Sequence, residues 1–203
     1  MNDRPKAFFS CSLLTEDFAF NAIIESIIVR YGFEIRGGIG RYHFSPEPIS
    51  IQMKKEMDIS ECLIVAGAGR YFQENIHTHQ LSFSMSETIV AEIGMAIQKT
   101  IPIVAFLAPN VSPGNLLPAI TQYINPKYNN KIGKYYYDND QIDKTIYNCF
   151  NIINEKRKVA NKKNLKDGLL KLGAVFGVIG VGSIILSLFE EDEPPKMKNT
   201  KKK

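Results

Sequence analysis

The chain has 203 residues, enough for one domain of ordinary size and an appendage. Hydrophobic residues make up 44% and charged residues 23%, which excludes a disordered or collagen-like chain. The net charge of +4 gathers in Lys156, Arg157, Lys158, Lys162, Lys163, Lys166, Lys171 and the closing Lys201 to Lys203, so the isoelectric point argues weakly for nucleic acid as partner. Cys11, Cys62 and Cys149 are odd in number and far apart. That argues against a disulfide framework or a zinc site and fits a reducing compartment. The N-terminus "MNDRPKAFFS" lacks the long apolar run of a signal peptide.

In chain order, "KAFFSCS" predicts a buried strand that runs into a small polar loop. Thr15 to Tyr31 predicts a helix, with Thr15 as N-cap and Phe18, Phe20, Ile23, Ile24, Ile27 and Ile28 near helical spacing. Gly32 stops it, and "FEIR" is a second strand. "GGIGRYHFSPEP" reads as a loop, and Ile49 to Asp58 as a short helix. "CLIVAG" is a third strand, and "AGRYFQENIHTHQLSFS" a long polar connection. A helix follows over Ser86 to Lys99, then a fourth strand in "IPIVAFLAP". "NLLPAITQYI" predicts a short helix, and "GKYYYDN" a fifth, more exposed strand. A last helix carries Ile142, Ile146, Phe150 and Ile153 on one face.

Five strand–helix alternations in roughly 150 residues predict an α/β fold. The expected architecture is flavodoxin-like, a five-stranded parallel sheet with helices on both faces. Ligands of such sheets collect at the carboxyl ends of the strands, here "SCSLLTE", "RGGIGRY", "GAGRYFQ" and "LAPN". The second part of the chain is "LGAVFGVIGVGSIILSLF", Leu172 to Phe189, which is free of charge. Its length, roughly 27 Å as a helix, approaches the ~30 Å of a bilayer interior. With Leu169 and Leu170 the expected transmembrane helix covers 169–189. A basic linker (156–168) precedes it and a charged tail (190–203) follows. The lysine-rich flank places the folded domain, residues 1–155, in the cytoplasm as a single-pass membrane protein. Gly173 and Gly177 form a small-xxx-small pair suited to self-association. A glycine-rich buried helix is the other reading of this segment.

On the helix over Ser86 to Lys99, a wheel puts Ile89, Val90, Ile93 and Ile97 in the buried stripe, with Ala96 beside it. Glu92 falls at its border. Its neighbours at helical spacing are Thr88, Ile89, Met95 and Ala96, none of them cationic. A carboxylate so placed can face a pocket; a solvated flank is the plainer alternative.

"FFSCS" with its following helix, "DISECLIVAGAGRYF" and "SETIVAEIGMAIQKTIPIVAFL" together resemble a TIR (Toll/interleukin-receptor) domain of the bacterial, NAD-consuming type over residues 6–155. "EIGMA" is also similar to a helix of the nucleoside 2-deoxyribosyltransferases. The resemblance implies that Glu92 is catalytic, contacting the ribose or attacking its anomeric carbon as the base leaves. It implies that Ser86, six residues earlier, belongs to the site. Thr88 stands where the family has an aromatic residue, and Phe83 is the candidate to replace it. Ser10 and Cys11 end the first strand and are candidates to line the site. Arg36 and Arg41 flank "GGIG" and are candidates to hold phosphates. "GAGRYF" could offer Arg70 to a phosphate or be plain turn chemistry. His77 and His79 lack a third ligand nearby, so no metal is expected.

The expected function is a membrane-anchored NAD+ glycohydrolase or cyclase that cleaves the nicotinamide N-glycosidic bond, active in bacterial immune signalling against phage. NAD+ is its substrate, it needs no cofactor, and it works as a homo-oligomer without nucleic acid. The alternatives are a non-enzymatic TIR-like assembly or nucleotide-sensing module, and a nucleoside deoxyribosyltransferase-like enzyme.

Overall fold

A computed structural model describes residues 4–38, 46–112 and 122–175, with side chains as far as residue 162. The chain divides into two units, 1–156 and 157–203.

The first unit is built on a five-stranded, all-parallel sheet in the order β2-β1-β3-β6-β7. Its strands are β1 (Lys6–Ser10), β2 (Glu34–Gly37), β3 (Cys62–Gly67), β6 (Ile103–Leu107) and β7 (Gln122–Ile124). The apolar runs of β1, β3 and β6 alternate between two cores, as strands covered on both faces must. Phe9, Ile64, Ala66, Val104 and Phe106 pack with α1 (Phe18–Arg30) and the start of α4 (Asn139–Val175), through Ile24, Ile28, Ile142, Ile146 and Ile153. Phe8, Leu63, Val65, Ala105 and Leu107 face α2 (Ile49–Ile59) and α3 (Glu87–Gln98), through Met57, Ile89, Ile93 and Ala96. The sheet is thus the middle layer of three.

Several expectations are corrected. Thr15 does not cap α1. It opens a 3₁₀ turn, Thr15–Asp17, with Leu14 as N-cap, and the α-helix starts at Phe18 with no side-chain cap bond. Gly32, at φ +81°, ends the helical segment as expected, in a conformation that L-side chains rarely adopt. The polar connection after β3 is a two-stranded antiparallel hairpin, β4 (Tyr71–Glu74) and β5 (Leu81–Ser84). Asn75 shapes its turn by accepting from the backbone N–H groups of His77 and Thr78. The fifth strand of the sheet is β7, inside the segment expected to be helical, and its Ile124 is fully buried. Of that segment, residues 115–121 lie outside the described residues. "GKYYYDN" instead supplies β9 (Lys134–Tyr136), which pairs with β8 (Lys127–Asn129) in a separate hairpin through a turn at Gly133. Three rings in a row cannot all be covered on a two-residue repeat, and the β9 residues are exposed.

In the second unit α4 continues to Val175. Of the expected span over 169–189, residues 176–189 lie outside the described residues, as does the tail over 190–203. Among the described residues no helix is long and apolar enough to cross a membrane.

Candidate active site

Ser10 is the last residue of β1. The strand repeat puts it on the same face as Phe8, toward α2 and α3, and it is 1% exposed. On α3 the buried residues are Ile89, Glu92, Ile93 and Ala96, spaced i, i+3, i+4 and i+7. The helix is therefore rolled by some tens of degrees from the expected stripe. Val90 and Ile97, expected inside, are 36% and 39% exposed, and Glu92 is 8% exposed. Ala96, the smallest of the inward residues, lets the helix lie close to the sheet. The carboxylate is thereby carried from the border into the buried face, which rules out the solvated flank.

There the Ser10 hydroxyl donates to Glu92 Oε2 in a short hydrogen bond between residues 82 apart in sequence. Burial disfavours the charged carboxylate and pushes Glu92 up to about 7, while the Ser10 hydrogen bond acts in the opposite sense. Among the described residues Glu92 makes no ion pair. A carboxyl group poised near neutrality can stabilise or capture a sugar cation when ionised, and can give a proton when neutral.

The surroundings place this pair at the sheet's switch point. The chain leaves β1 toward α1 on one face, and leaves β3 through the β4–β5 hairpin toward α3 on the other, and the strand ends at such a reversal are where sheets of this kind bind ligands. One side chain crosses between the two exits. Arg70, after β3, donates through Nη2 to Ser12 Oγ at 2.5 Å and to Asp17 Oδ2 at 2.9 Å. Asn21 Nδ2 donates to the Ser12 carbonyl at 2.7 Å. Ser12 and Asn21 escaped the sequence reading because their partners lie on other elements. Arg70 was visible, yet its guanidinium meets the chain's own carboxylates.

The other candidates do not converge on the pair. Cys11, next in the strand repeat, packs against the opposite core, with Phe9 and Ile24. Arg36 pairs with Glu34 at 2.5 Å, and its Nη1 lies 4.0 Å from Glu56 Oε2. Ser86 is the N-cap of α3, where its Oγ accepts from the Ile89 N–H at 3.4 Å. Phe83, in β5, stacks edge-on with Phe72 and is 40% exposed. Its backbone is tied to Asn110 and Ser112 beyond β6. Thr88 is exposed, and Arg41 lies outside the described residues. His79 Nδ1 lies 2.7 Å from Glu74 Oε1 on the hairpin.

No protein-family model matches the chain, and no curated protein matches it. Among solved structures it is similar to the CMP N-glycosidase BcmB of Clostridium botulinum, at 16% sequence identity and a TM-score of 0.37, over 63% of this chain and 92% of that one.

Proposed function

We propose that this chain is an N-glycosidase of the TIR type that cleaves the nicotinamide–ribose bond of NAD+, with Glu92 as the carboxylate that meets the anomeric carbon. The observation that carries the reading is the buried Glu92, held by the Ser10 hydroxyl beside the carboxyl end of β1. In the reaction the C1′–N bond breaks and its electron pair leaves with nicotinamide, which departs neutral. The ribosyl cation left behind is stabilised, or captured as an ester, by ionised Glu92. Water then forms the new C1′–O bond and its proton goes to solvent; a cyclase would use a nitrogen of the substrate's own adenine instead. Nicotinamide in NAD+ carries its positive charge already, so no acid is needed to expel it.

A second reading follows from the same carboxyl group. With Glu92 near 7, about half of the molecules are protonated at neutral pH. A protonated Glu92 could expel the base of an uncharged nucleoside or nucleotide, as in deoxyribosyl transfer. The two readings predict opposite slopes of rate against pH through about 7, rising for NAD+ and falling for an uncharged nucleoside.

In this proposal Arg41 binds the phosphates, the chain needs no cofactor, and residues 169–189 anchor a homo-oligomer with its α/β unit in the cytoplasm. The deciding assay is nicotinamide release from NAD+ by the full chain, wild type beside Glu92→Ala. Release is expected from the wild type and lost in the variant, and release that survives Glu92→Ala refutes the assignment.

A further inference from the structure

We propose that Arg70 is a positioning residue that locks the loop after β1 and so holds the Ser10 hydroxyl on Glu92. The inference rests on the reading of Glu92 as the reacting carboxylate.

Ser10 is the last residue of its strand, and residues 11–13 after it have no regular structure. A hydroxyl at such a place keeps its aim only if the loop beyond it is fixed. Five contacts converge on Ser12, two residues on, or on the turn that follows it. The Leu14 N–H donates to Ser12 Oγ at 3.2 Å, and Asn21 Nδ2 holds the Ser12 carbonyl. Arg70 Nη2 reaches Ser12 Oγ and Asp17 Oδ2, and Nη1 lies 3.6 Å from Glu16 Oε1. The first two contacts are local to the loop and α1. Those of Arg70 come from the segment after β3.

Arg70 is itself anchored, because its backbone N–H donates to the Ser84 carbonyl at the base of the hairpin at 2.7 Å. The Arg70 and Asp17 side chains are 20% and 15% exposed, so their pair is largely shielded from solvent. The planar guanidinium spans a hydroxyl and two carboxylates at once, which a lysine ammonium cannot match in geometry. The two acidic partners also neutralise the guanidinium. That disposes Arg70 to hold the loop rather than to bind a free phosphate.

The effect on Glu92 is indirect, and this makes it separable. Arg70 does not touch Glu92. The charged groups on the neighbouring elements are Lys54, Lys55, Glu56 and Asp58 on α2, Glu87 on α3 and Lys99 at its end, and Lys6 and Glu61 at the amino ends of β1 and β3. None of them governs the Glu92 proton, which burial and the Ser10 hydroxyl control. A change in the Glu92 titration on altering Arg70 therefore passes through the Ser10 hydrogen bond or through burial, and the sign separates them: losing the hydrogen bond raises the midpoint, whereas admitting solvent lowers it.

The test is the ¹³C titration of the Glu92 carboxyl in the full-length chain, with its resonance assigned by difference from Glu92→Gln. In Arg70→Ala and in Ser12→Ala the midpoint is expected to rise above that of the wild type, and Arg70→Lys is expected to lie between. If the chain turns NAD+ over, kcat falls by about a hundredfold in Arg70→Ala, as expected for a misaimed group. Far-UV circular dichroism reports whether each variant is folded. A folded Arg70→Ala chain whose Glu92 midpoint is unchanged overturns the proposal. Should Arg70→Ala not fold, Ser12→Ala decides by the same criterion, since it leaves the Arg70–Asp17 pair intact. The titration needs no turnover, so a chain that cleaves no NAD+ still answers it.

Discussion

Replacing Glu92 by glutamine should stabilise the fold increasingly as the pH rises from about 4.5 to about 7, and fully above that. The carboxyl group titrates at about 7 in the folded chain against an ordinary value of 4.5. Below about 4.5 both folded and unfolded chains carry the proton, and Glu92 makes no difference between them. Between about 4.5 and 7 the unfolded chain loses its proton first while the folded chain keeps it, so stability falls as pH rises. Above about 7 the folded chain holds a buried, ionised carboxylate. The difference of roughly 2.5 pH units at about 1.4 kcal/mol each puts the loss at about 3.5 kcal/mol at most. Glutamine keeps the size of the side chain, and its carbonyl can still accept from Ser10. Urea unfolding followed by far-UV circular dichroism should find Glu92→Gln more stable than wild type by about 1–3 kcal/mol at pH 8 and equal to it near pH 4. The same variant should release no nicotinamide from NAD+, a gain in stability at the expense of function. A Glu92→Gln chain no more stable than wild type at pH 8 refutes the assignment of an uncompensated carboxylate in the folded state.

Three more outcomes follow. Ser10→Ala removes a hydrogen bond to a charged group, worth about 1.5–3 kcal/mol, and should raise the Glu92 midpoint by about one to two pH units. NAD+ cleavage at pH 7 should then fall by about 5- to 50-fold and recover above about pH 9; a loss equal at every pH contradicts this. Gly69→Ala puts a Cβ 2.7 Å from Phe83 Cβ. It should cost about 1–3 kcal/mol in thermal unfolding, and no loss would mean that β5 yields freely. Ending the chain at residue 168 should release it from the membrane pellet, whereas the full chain should stay there in 1 M salt. A full chain that washes off is held by its lysines and not by a span.

What the sequence made legible is what short-range pattern controls. The apolar runs of β1, β3 and β6 are buried on both faces, and such runs announce parallel strands without help from alternation. The elements that misled the reading depend on pairing at a distance. β7 has three residues and is a strand because β6 offers its free edge, with Val104, Ala105 and Phe106 facing Gln122, Tyr123 and Ile124. The polar segment after β3 becomes a hairpin because Phe72 meets Phe83 across it, and because Phe83 is tied by its backbone to residues 110 and 112. Local composition carries neither fact.

The site divides along the same line. Glu92 stood out because the helix offers it no cation at i±3 or i±4, and that absence is local. Its actual partner is a hydroxyl at the end of β1, and the burial that lifts its proton affinity depends on how α3 rolls against the sheet. The wheel missed that roll because it weighs Val90 and Ile97 as equals of Ile89 and Ile93, whereas the sheet accepts only the side on which Ala96 permits close approach. The consequence is chemical. One hydrogen bond from Ser10 does not offset the desolvation of the carboxylate, and its proton affinity is raised for that reason. A group in that condition gains most from a positive charge arriving beside it. In the proposed reaction a ribosyl cation forming at its edge would supply such a charge for the lifetime of the transition state, and an interaction confined to that moment is one that accelerates a reaction.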